Sequence, residues 1–358
     1  MKTALIMAGG TGGHIFPGLA VAHRLRERGW DVHWLGGPIP SMESQLVPPH
    51  GFPYEPVQFS GVRGKGLFTI LTLPLRLLRA CWQSMQVLRR IKPQVVLGMG
   101  GYISFPAGLM AAVKGYPLVV HEQNSVAGMA NKVLALFAKS VLTTFPDVLQ
   151  KAQWIGNPLR EAFVRQARPS ERLGKRHGPL QLLVVGGSLG AQALNTVVPQ
   201  ALALMSEFRR PVVIHQSGAK QIDALRAAYE EADVQATLTP FIEDTAQAFA
   251  HADVVIARAG ASTVTELAAI GVAAIYVPFP HAVDDHQTTN AKFVVDAGGG
   301  WLVPQAELTA QGLADLLQTL TREKLLEVAE KAYAIRKTDA AEKTVAICEQ
   351  LTHLRGDA

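Results

Sequence analysis

The chain has 358 residues, 48% hydrophobic and 18% charged, so it holds enough apolar material for two α/β cores and lacks a disorder-prone composition. A net charge of +5 favours an anionic partner: nucleic acid, acidic lipid or a phosphate-bearing substrate. Nucleic acid is disfavoured, because neither an interleaved basic and aromatic strand nor a compact basic recognition helix occurs. Cys81 and Cys348 stand outside any C-x-x-C or Cys/His cluster, which disfavours zinc and redox chemistry and is typical of a reducing cytoplasm.

Neither export nor a membrane crossing is expected from the sequence. Residues 1–8 have the pattern of a buried first strand that breaks at Gly9-Gly10, before a signal-peptide core could form. The longest apolar stretch, residues 67–75, is interrupted by Arg76 and falls far short of the ~20 residues that span a bilayer.

Short apolar runs alternate with helix-length segments up to about Gly300, which predicts repeated βα units around parallel sheets, a doubly wound α/β class. Strands are predicted in the first half at residues 3–8, 31–35, 95–98, 118–121 and 141–144, and in the second half at 182–185, 212–215, 254–256 and 274–277. Turn residues at 156–158 and a polar, basic stretch at 165–178 predict two domains, 1–160 and 161–339. A last helix, at about 340–354, is expected to pack back on the first domain.

Three glycine-rich loops each follow a predicted strand. They are Gly9-Gly10-Thr11-Gly12-Gly13-His14, with a helix predicted at 18–28, then Gly98-Met99-Gly100-Gly101-Tyr102, and Gly186-Gly187-Ser188-Leu189-Gly190-Ala191. Such loops bring backbone N–H groups close to a phosphate at the positive end of a helix. A dinucleotide fingerprint is the rival interpretation, but Ile15 occupies the place of its third glycine, and a tight turn that needs positive φ is the plain alternative.

A fourth segment, residues 258–266, follows an apolar strand and predicts a helix that starts near Ala261 and carries Glu266 in its early turns. Glu266 could accept hydrogen bonds from ribose hydroxyls, or it could simply complement the helix dipole. The His and Asp residues of segment 281–287 could be metal ligands, although a proline-rich loop with polar side chains is more often ordinary surface. Because no Asp-x-Asp occurs, metal dependence is not expected, and helix N-termini would have to hold a diphosphate.

A helix predicted between Leu67 and Ile91 places Leu71, Leu75, Leu78 and Trp82 on one face. An apolar stripe is usually part of a core. This one lies in a segment that has no acid from Leu67 to Pro93 and is accompanied by Arg76, Arg79, Arg89 and Arg90, as a helix resting on an anionic membrane would need.

In order along the chain, these segments resemble the UDP-N-acetylglucosamine:undecaprenyl-diphosphoryl-muramoyl-pentapeptide N-acetylglucosaminyltransferase family, which converts lipid I to lipid II in cell-wall synthesis. The resemblance covers essentially the whole chain. Beyond the three glycine loops it rests on Ser60-Gly61-Val62-Arg63-Gly64-Lys65, His121-Glu122-Gln123-Asn124, Gly156-Asn157-Pro158-Leu159-Arg160 and residues 258–290. Leu189 and Phe105 depart from it, since glutamine and glycine are usual there.

The resemblance implies a GT-B fold of two Rossmann-like domains facing a cleft, the first holding the acceptor and the second most of the donor. It assigns UDP-N-acetylglucosamine contacts to Thr11, Gly12, Gly13, Asn124, Arg160, Ser188, Ile242, Ala261, Ser262, Thr263, Val264, Thr265, Glu266 and Gln287. Among these, Ile242 would meet the uracil, Glu266 the ribose, Ser188 the phosphates, and Asn124 with Gln287 the sugar. The acceptor diphosphate would lie against Gly13, His14, Gly100, Gly101 and Tyr102.

The implied reaction is an inverting displacement by the 4-hydroxyl of the muramoyl sugar on C1 of N-acetylglucosamine, without cofactor or metal. His14 is the first candidate for the base, because imidazole titrates near working pH; it could instead bind the acceptor phosphate or fix the loop while Glu122 serves as base. The implied partners are the donor, the undecaprenyl-diphosphate acceptor and anionic lipid at the cytoplasmic face of the inner membrane. A UDP-N-acetylglucosamine 2-epimerase and a non-catalytic nucleotide-binding module remain the alternatives.

Overall fold

The computed structural model describes residues 2–61, 71–187 and 190–356, and the chain divides into two compact units. Unit 1 comprises Met1–Arg160 and Lys337–Ala358, and unit 2 comprises Glu161–Arg336. Each unit is built on one parallel sheet whose strands alternate with helices, so the predicted class of two doubly wound α/β domains is confirmed.

The sheet of unit 1 has the strand order β3-β2-β1-β4-β5-β6-β7. Its strands are β1 Thr3–Met7, β2 Asp31–Gly36, β3 Tyr54–Pro56, β4 Val95–Gly98, β5 Leu118–Glu122, β6 Ser140–Thr143 and β7 Gln153–Trp154. The order reverses between β1 and β4, which are paired in parallel. Ligands of such sheets bind beyond the carboxyl ends of the strands at this switch point, and the first two glycine loops follow β1 and β4.

Helices cover both faces of this sheet. They are α1 Gly12–Glu27, α2 Met42–Leu46, α3 Leu73–Ile91, α4 Ser104–Val113, α5 Met129–Ala135 and, from the chain end, α15 Ala340–Gly356. The last helix buries Ala340, Val345 and Cys348 in the same core as Ile15 and Leu19 of α1. Arg28 at the end of α1 pairs with Glu342 and Glu349 of α15, at 2.8 and 3.0 Å.

The sheet of unit 2 has the order β10-β9-β8-β11-β12-β13. Its strands are β8 Gln181–Val185, β9 Val212–Gln216, β10 Thr237–Thr239, β11 Val254–Ala257, β12 Ala273–Tyr276 and β13 Gly300–Leu302. Its helices are α6 Glu161–Val164, α7 Pro169–Leu173, α8 Gln192–Ala203, α9 Ile222–Glu231, α10 Thr245–His251, α11 Ala261–Ile270, α12 His286–Val295, α13 Ala310–Gln318 and α14 Arg322–Ala334. Here the order reverses between β8 and β11, so the third glycine loop and the start of α11 lie at the switch point.

Two features differ from the sequence-based expectation. The first helix begins at Gly12 rather than Gly18, with Pro17 inside it, because buried Ile15 anchors the first turn in the core. Four short strands, β3, β7, β10 and β13, were not predicted; each has two or three residues and incomplete burial, so none has a clear apolar pattern.

Candidate active site

The first glycine loop delivers the N-terminus of α1 to the end of β1. Gly10 adopts φ +89°, which favours glycine, and Thr11 takes extended backbone just before the helix. Among the described residues, no side chain caps this helix start, and its first turn contains no acid. The first turn of this 16-residue helix therefore keeps its dipole uncapped by side chains of the described residues, as is common where a helix N-terminus binds an anion.

Glu43 of α2 lies beneath this loop and is almost fully buried. Its Oε2 accepts a hydrogen bond from the Gly10 N–H at 3.2 Å, and its Oε1 accepts one from the Gly37 N–H at 2.9 Å. A Cβ at Gly9 would lie 2.5 Å from Oε1, so the loop packs directly on the carboxylate. Glu43 thus holds the backbone of the glycine loop, a role that sequence reasoning missed.

The second glycine loop packs on the first, backbone against backbone. Gly101 has φ +83°, and a Cβ there would stand 2.3 Å from the carbonyl oxygen of Gly9. The ring of Tyr102 lies over Gly10, at 3.4 Å from the position of a Cβ. The structure therefore brings together the loop residues that were predicted to face one diphosphate.

His14 occupies the first turn of α1, within the helix rather than in the preceding loop. Its Nδ1 lies 3.0 Å from Oε1 of Gln123, and Gly100 covers this contact so closely that a Cβ would approach Nδ1 to 2.7 Å. Gln123 Nε2 lies 3.1 Å from Nδ1 of His121, whose Nε2 lies 3.0 Å from the Gly156 carbonyl oxygen. Burial lowers the pKa of His121 to about 4, so this imidazole is neutral at physiological pH.

Glu122, the other candidate base, is buried at the end of β5. Its Oε1 accepts a hydrogen bond from the Asn124 N–H at 2.9 Å, and its Oε2 accepts from the Gly128 N–H at 3.1 Å and from Asn131 Nδ2 at 2.8 Å. These donors order the loop that carries Asn124. Arg160, farther along, stacks its guanidinium 4.8 Å from the Phe16 ring centroid in α1.

In unit 2 the third glycine loop leads from β8 to α8. A Cβ at Gly190, where φ is +76°, would overlap the Ser217 carbonyl oxygen, whereas one at Gly187 would meet nothing within 4 Å. Ser188 and Leu189, predicted at the phosphates and as a departure from the family pattern, lie outside the described residues. Gly190 is therefore in tight contact with neighbouring backbone, whereas the space beside Gly187 is open.

The start of α11 has the features of an anion site. Gly260 precedes it with open space where a Cβ would stand, and no side chain of the described residues caps the helix. Ser262 Oγ is buried with no hydrogen-bond partner among the described residues. Glu266 is the sixth helix residue and 8% exposed, beyond the first turn in which an acid compensates the helix dipole. This placement weakens the interpretation that Glu266 only compensates the helix dipole. Glu266 therefore remains a candidate for contact with a ligand.

The side chain of Gln287, in α12, contacts the loops that follow β11 and β12. Its Oε1 accepts hydrogen bonds from the N–H groups of Ala259 and Phe279, at 3.2 and 2.9 Å. These contacts use only the carbonyl oxygen, so the amide NH₂ group retains its capacity to donate. Ile242 follows β10 in a loop, and the helix residues Thr263, Val264 and Thr265 lie in the first two turns of α11.

Comparison with known proteins identifies the family. The model of the glycosyltransferase family 28 N-terminal domain matches residues 4–143, and that of the C-terminal domain matches residues 181–345. This chain belongs to glycosyltransferase family 28. Within that family, the chain is 66% identical to a protein of Polaromonas sp. over 98% of this chain and 92% of the relative, and 66% identical to one of Paracidovorax citrulli over 98% and 99%.

Both family 28 relatives are named UDP-N-acetylglucosamine–N-acetylmuramyl-(pentapeptide) pyrophosphoryl-undecaprenol N-acetylglucosamine transferase. Among solved structures, MurG of Acinetobacter baumannii superposes with a TM-score of 0.85 at 39% identity, covering 98% of this chain and all of that one. A family 28 chain is a sugar-transferring enzyme, so the nucleotide-binding module without catalytic activity is the weakest of the alternatives.

The apolar stripe of this family 28 chain is not part of a core. Leu71, Leu75, Leu78 and Trp82 are 78, 72, 67 and 61% exposed, so the usual interpretation of such a stripe is wrong here. Val113 at the end of α4, and Leu136 and Phe137 after α5, are exposed as well, although sequence reasoning did not single them out. No helix in the described ranges is long and apolar enough to span a bilayer.

Two further observations concern ligands. Within residues 2–61, 71–187 and 190–356, no group of three or more His, Cys, Asp or Glu side chains is arranged to hold a metal ion. The described part of the chain therefore contains no cluster that would support a metal site at segment 281–287. Sequence reasoning named no role for His121 or Gln123, although both stand in a segment that carries the family resemblance.

Proposed function

We propose that the chain transfers N-acetylglucosamine from UDP-N-acetylglucosamine to the 4-hydroxyl of the muramoyl sugar in undecaprenyl-diphosphoryl-N-acetylmuramoyl-pentapeptide, with inversion at C1. The observation that carries the proposal is 66% identity over nearly the whole length to relatives named for this transfer. The aligned region covers 98% of this chain in both cases.

The donor is assigned chiefly to unit 2. The start of α11 would hold the diphosphate together with Ser188, because within the described ranges no side chain caps this helix and the Ser262 hydroxyl has no hydrogen-bond partner. Buried Glu266 would accept hydrogen bonds from the ribose hydroxyls. Gln287, whose NH₂ group can still donate, would bind the sugar with Asn124, and the Ile242 backbone would meet the uracil. The remaining proposed contacts are Thr11, Gly12, Gly13, Arg160, Ala261, Thr263, Val264 and Thr265.

The acceptor diphosphate is assigned to the paired glycine loops of unit 1. Gly13 and His14 lie in the first turn of α1, where the helix dipole favours negative charge, and Gly100, Gly101 and Tyr102 form the second loop packed against the first. Because glycines have no side chain, the backbone of both loops can come close to a bound diphosphate and present N–H groups to it.

The chemistry requires a proton acceptor and stabilisation of the leaving group. As the acceptor hydroxyl oxygen bonds to C1, the bond from C1 to the UDP oxygen breaks, and the hydroxyl proton passes to His14. The charge that grows on the departing diphosphate would be stabilised by the start of α11. Alignment of the two sugars would lower the barrier further.

His14 is preferred to Glu122 as the base, because the Glu122 oxygens already accept hydrogen bonds from Asn124, Gly128 and Asn131 that order their own loop. Loss of a general base lowers kcat by ~10²- to 10⁴-fold. His14→Ala should therefore lose kcat with UDP affinity preserved. Near-parental kcat in His14→Ala, together with a large loss in Glu122→Gln, would move the role to Glu122.

The exposed stripe of α3 is proposed to rest on anionic lipid at the cytoplasmic face of the inner membrane, where a lipid-linked acceptor is held. The support is the exposure of Leu75, Leu78 and Trp82 of α3, and of Leu71 just before it, beside the arginines of that helix. A soluble donor and a membrane-held acceptor would meet on a peripheral enzyme of this kind.

One incubation tests the function. The purified chain is mixed with UDP-N-acetylglucosamine, with and without a lipid I analogue, and UDP release, sugar transfer and C2 epimerisation are measured. Transfer that depends on the acceptor is expected. Epimerisation without acceptor would favour the 2-epimerase, and binding of UDP-N-acetylglucosamine without turnover would favour a nucleotide-binding module.

A further inference from the structure

A line of hydrogen bonds runs through unit 1 from His14 to a backbone carbonyl. It passes from His14 Nδ1 to Gln123 Oε1 at 3.0 Å, from Gln123 Nε2 to His121 Nδ1 at 3.1 Å, and from His121 Nε2 to the Gly156 oxygen at 3.0 Å. His121 and Gln123 are 0 and 1% exposed, so water does not replace these contacts. We refer to His14, Gln123, His121 and Gly156 as the relay.

The carbonyl at one end determines the direction of every bond in the relay. Gly156 oxygen can only accept, so His121 must carry its proton on Nε2. Burial lowers the pKa of His121 to about 4, which keeps the ring neutral and makes its Nδ1 an acceptor. The Gln123 amide must then present NH₂ to His121 and its oxygen to His14. That oxygen accepts a hydrogen bond from His14 Nδ1–H.

The backbone holds both ends of the relay in place. The Gly156 N–H donates to the Thr143 carbonyl oxygen at 3.2 Å. The φ of Gly156, +94°, favours glycine, and a Cβ there would also lie 2.5 Å from the side chain of Lys337. At the other end, a Cβ on Gly100 would lie 2.7 Å from His14 Nδ1 and 3.1 Å from Gln123 Oε1. Glycine at position 100 therefore allows the imidazole and the amide to meet.

We infer that Gln123 and His121 are positioning residues that fix His14 as the tautomer protonated on Nδ1, so that Nε2 carries the lone pair that accepts the substrate proton. The inference rests on the proposed function for its catalytic meaning, but the tautomer itself does not. A neutral histidine can accept a proton only on the ring nitrogen that lacks one, and the partner of the other nitrogen decides which that is. A histidine held in the wrong tautomer can cost a hydrolase ~10⁴-fold in kcat.

The relay differs from a histidine paired with a carboxylate in having no charge. A carboxylate would stabilise the protonated imidazole and add a negative charge beside the loops assigned to a diphosphate. Gln123 orients the ring without either effect. The nearest carboxylate along the chain, Glu122, directs its oxygens to Asn124, Gly128 and Asn131 instead.

Nitrogen NMR measures the tautomer directly and without substrate. The full chain is labelled with ¹⁵N on its 11 histidine rings, and the His14 signals are assigned by their absence in His14→Gln. At alkaline pH we expect a protonated Nδ1 and an unprotonated Nε2. A protonated Nε2 in the parent protein would overturn the inference.

Two variants break the relay at different points. In Gln123→Leu and His121→Phe, the His14 spectrum should move toward the Nε2-protonated form, and kcat should fall ~10- to 10³-fold with UDP affinity unchanged. His215→Phe is the matched control, because His215 is a fully buried histidine of unit 2 bonded to Tyr229 and Asn195. It should leave the His14 spectrum as it is in the parent. An unchanged His14 tautomer in both relay variants would overturn the inference.

Gln123→Glu adds a readout that a structural role would not move. A carboxylate beside His14 stabilises its protonated form, so the rising limb of the pH–kcat profile should shift to higher pH. A lower kcat with an unshifted limb would contradict the positioning role. If the tautomer is as expected but His14→Gln keeps full transfer activity, the base assignment of the proposed function fails while the relay stands.

Discussion

Glu43 and Gly10 are joined by a hydrogen bond from the Gly10 N–H to a buried carboxylate, although they lie 33 positions apart in the sequence. The same carboxylate accepts from Gly37, so one side chain fixes two loops that follow neighbouring strands β1 and β2. Hydrogen bonds from backbone N–H to a charged acceptor contribute more than neutral ones, and unpaired buried N–H groups are costly. The shape of the first glycine loop therefore depends on α2.

Replacing Glu43 with alanine should destabilise the protein by about 2 to 4 kcal/mol and raise KM for the acceptor, because both N–H groups lose their partner. Urea unfolding and initial rates measure the two effects. Gln45→Ala, on the exposed side of the same short helix, is the control and should behave like the parent. An unchanged KM in Glu43→Ala would show that the loop keeps its shape without the carboxylate.

Glu266→Ala should weaken UDP binding by ~10- to 100-fold, since a hydrogen bond to a charged group contributes about 1.5 to 3 kcal/mol. Calorimetric titration of UDP into the variant measures this loss. Glu323→Ala removes an exposed acid from the first turn of α14 in the same unit and should leave the affinity intact. Equal UDP affinity in Glu266→Ala and the parent would assign Glu266 a structural role only.

Removal of divalent metal should leave transfer activity intact, because helix N-termini rather than carboxylate-bound metal are proposed to hold the donor diphosphate. Initial rates are measured before and after treatment with EDTA. Activity that disappears with EDTA and returns with magnesium would contradict this expectation. Activity restored by any added salt would instead indicate an ionic-strength effect.

The central strands could be predicted from sequence because burial on both faces leaves continuous apolar runs, as in Val95–Gly98, whose bounds agree with the prediction. Edge strands such as Tyr54–Pro56 and Gln153–Trp154 are short and partly or fully exposed, so no apolar run indicates them. The glycine loops were recognisable because glycine runs after strands are local features.

The parts of the site that sequence did not predict depend on contacts between distant residues. Glu43 reaches Gly10, and Gln123 reaches His14 across 109 positions. Neither pair has a local pattern, and an acid or an amide after an apolar run is ordinary on its own. The exposure of Trp82 could not be read from spacing either, because an apolar stripe at helical spacing is usually buried.

Two buried histidines, His121 and His215, should lower the free energy of unfolding as the solution becomes acidic. Burial lowers the pKa of His121 to about 4 and that of His215 to about 3, from an ordinary value near 6.5. The unfolded chain therefore binds protons that the folded chain does not, so the stabilisation is complete above pH 6.5 and is lost as the pH falls toward the folded pKa values. The loss is about 1.4 kcal/mol per pH unit for each histidine.

Urea unfolding between pH 7 and pH 5 measures this slope, and His215→Phe should make it shallower. His177→Phe is the control, because His177 is exposed in the polar stretch before β8. A slope that His215→Phe leaves unchanged would mean that other groups account for the acid sensitivity.

The stripe on α3 should bind membranes through its exposed apolar surface. Replacing Leu75, Leu78 and Trp82 together with serine removes side chains that are 72, 67 and 61% exposed. Insertion of apolar surface contributes about 25 cal/mol per Å², so sedimentation with anionic vesicles should weaken strongly while the melting temperature stays near that of the parent. A large fall in melting temperature would mean that the stripe packs against protein.

Unit 2 offers a matched control for this experiment. Leu204, Phe208 and Val212 are 53, 98 and 49% exposed, and their triple serine variant also removes exposed apolar surface. Vesicle binding should survive in that variant, because the proposed contact uses α3 with Arg76, Arg79, Arg89 and Arg90. Neutral vesicles and high salt should weaken binding of the parent, since arginine attraction to anionic headgroups is screened by salt. Equal loss in both triple variants would show a nonspecific dependence on exposed apolar area and would remove the case for α3 as the membrane contact.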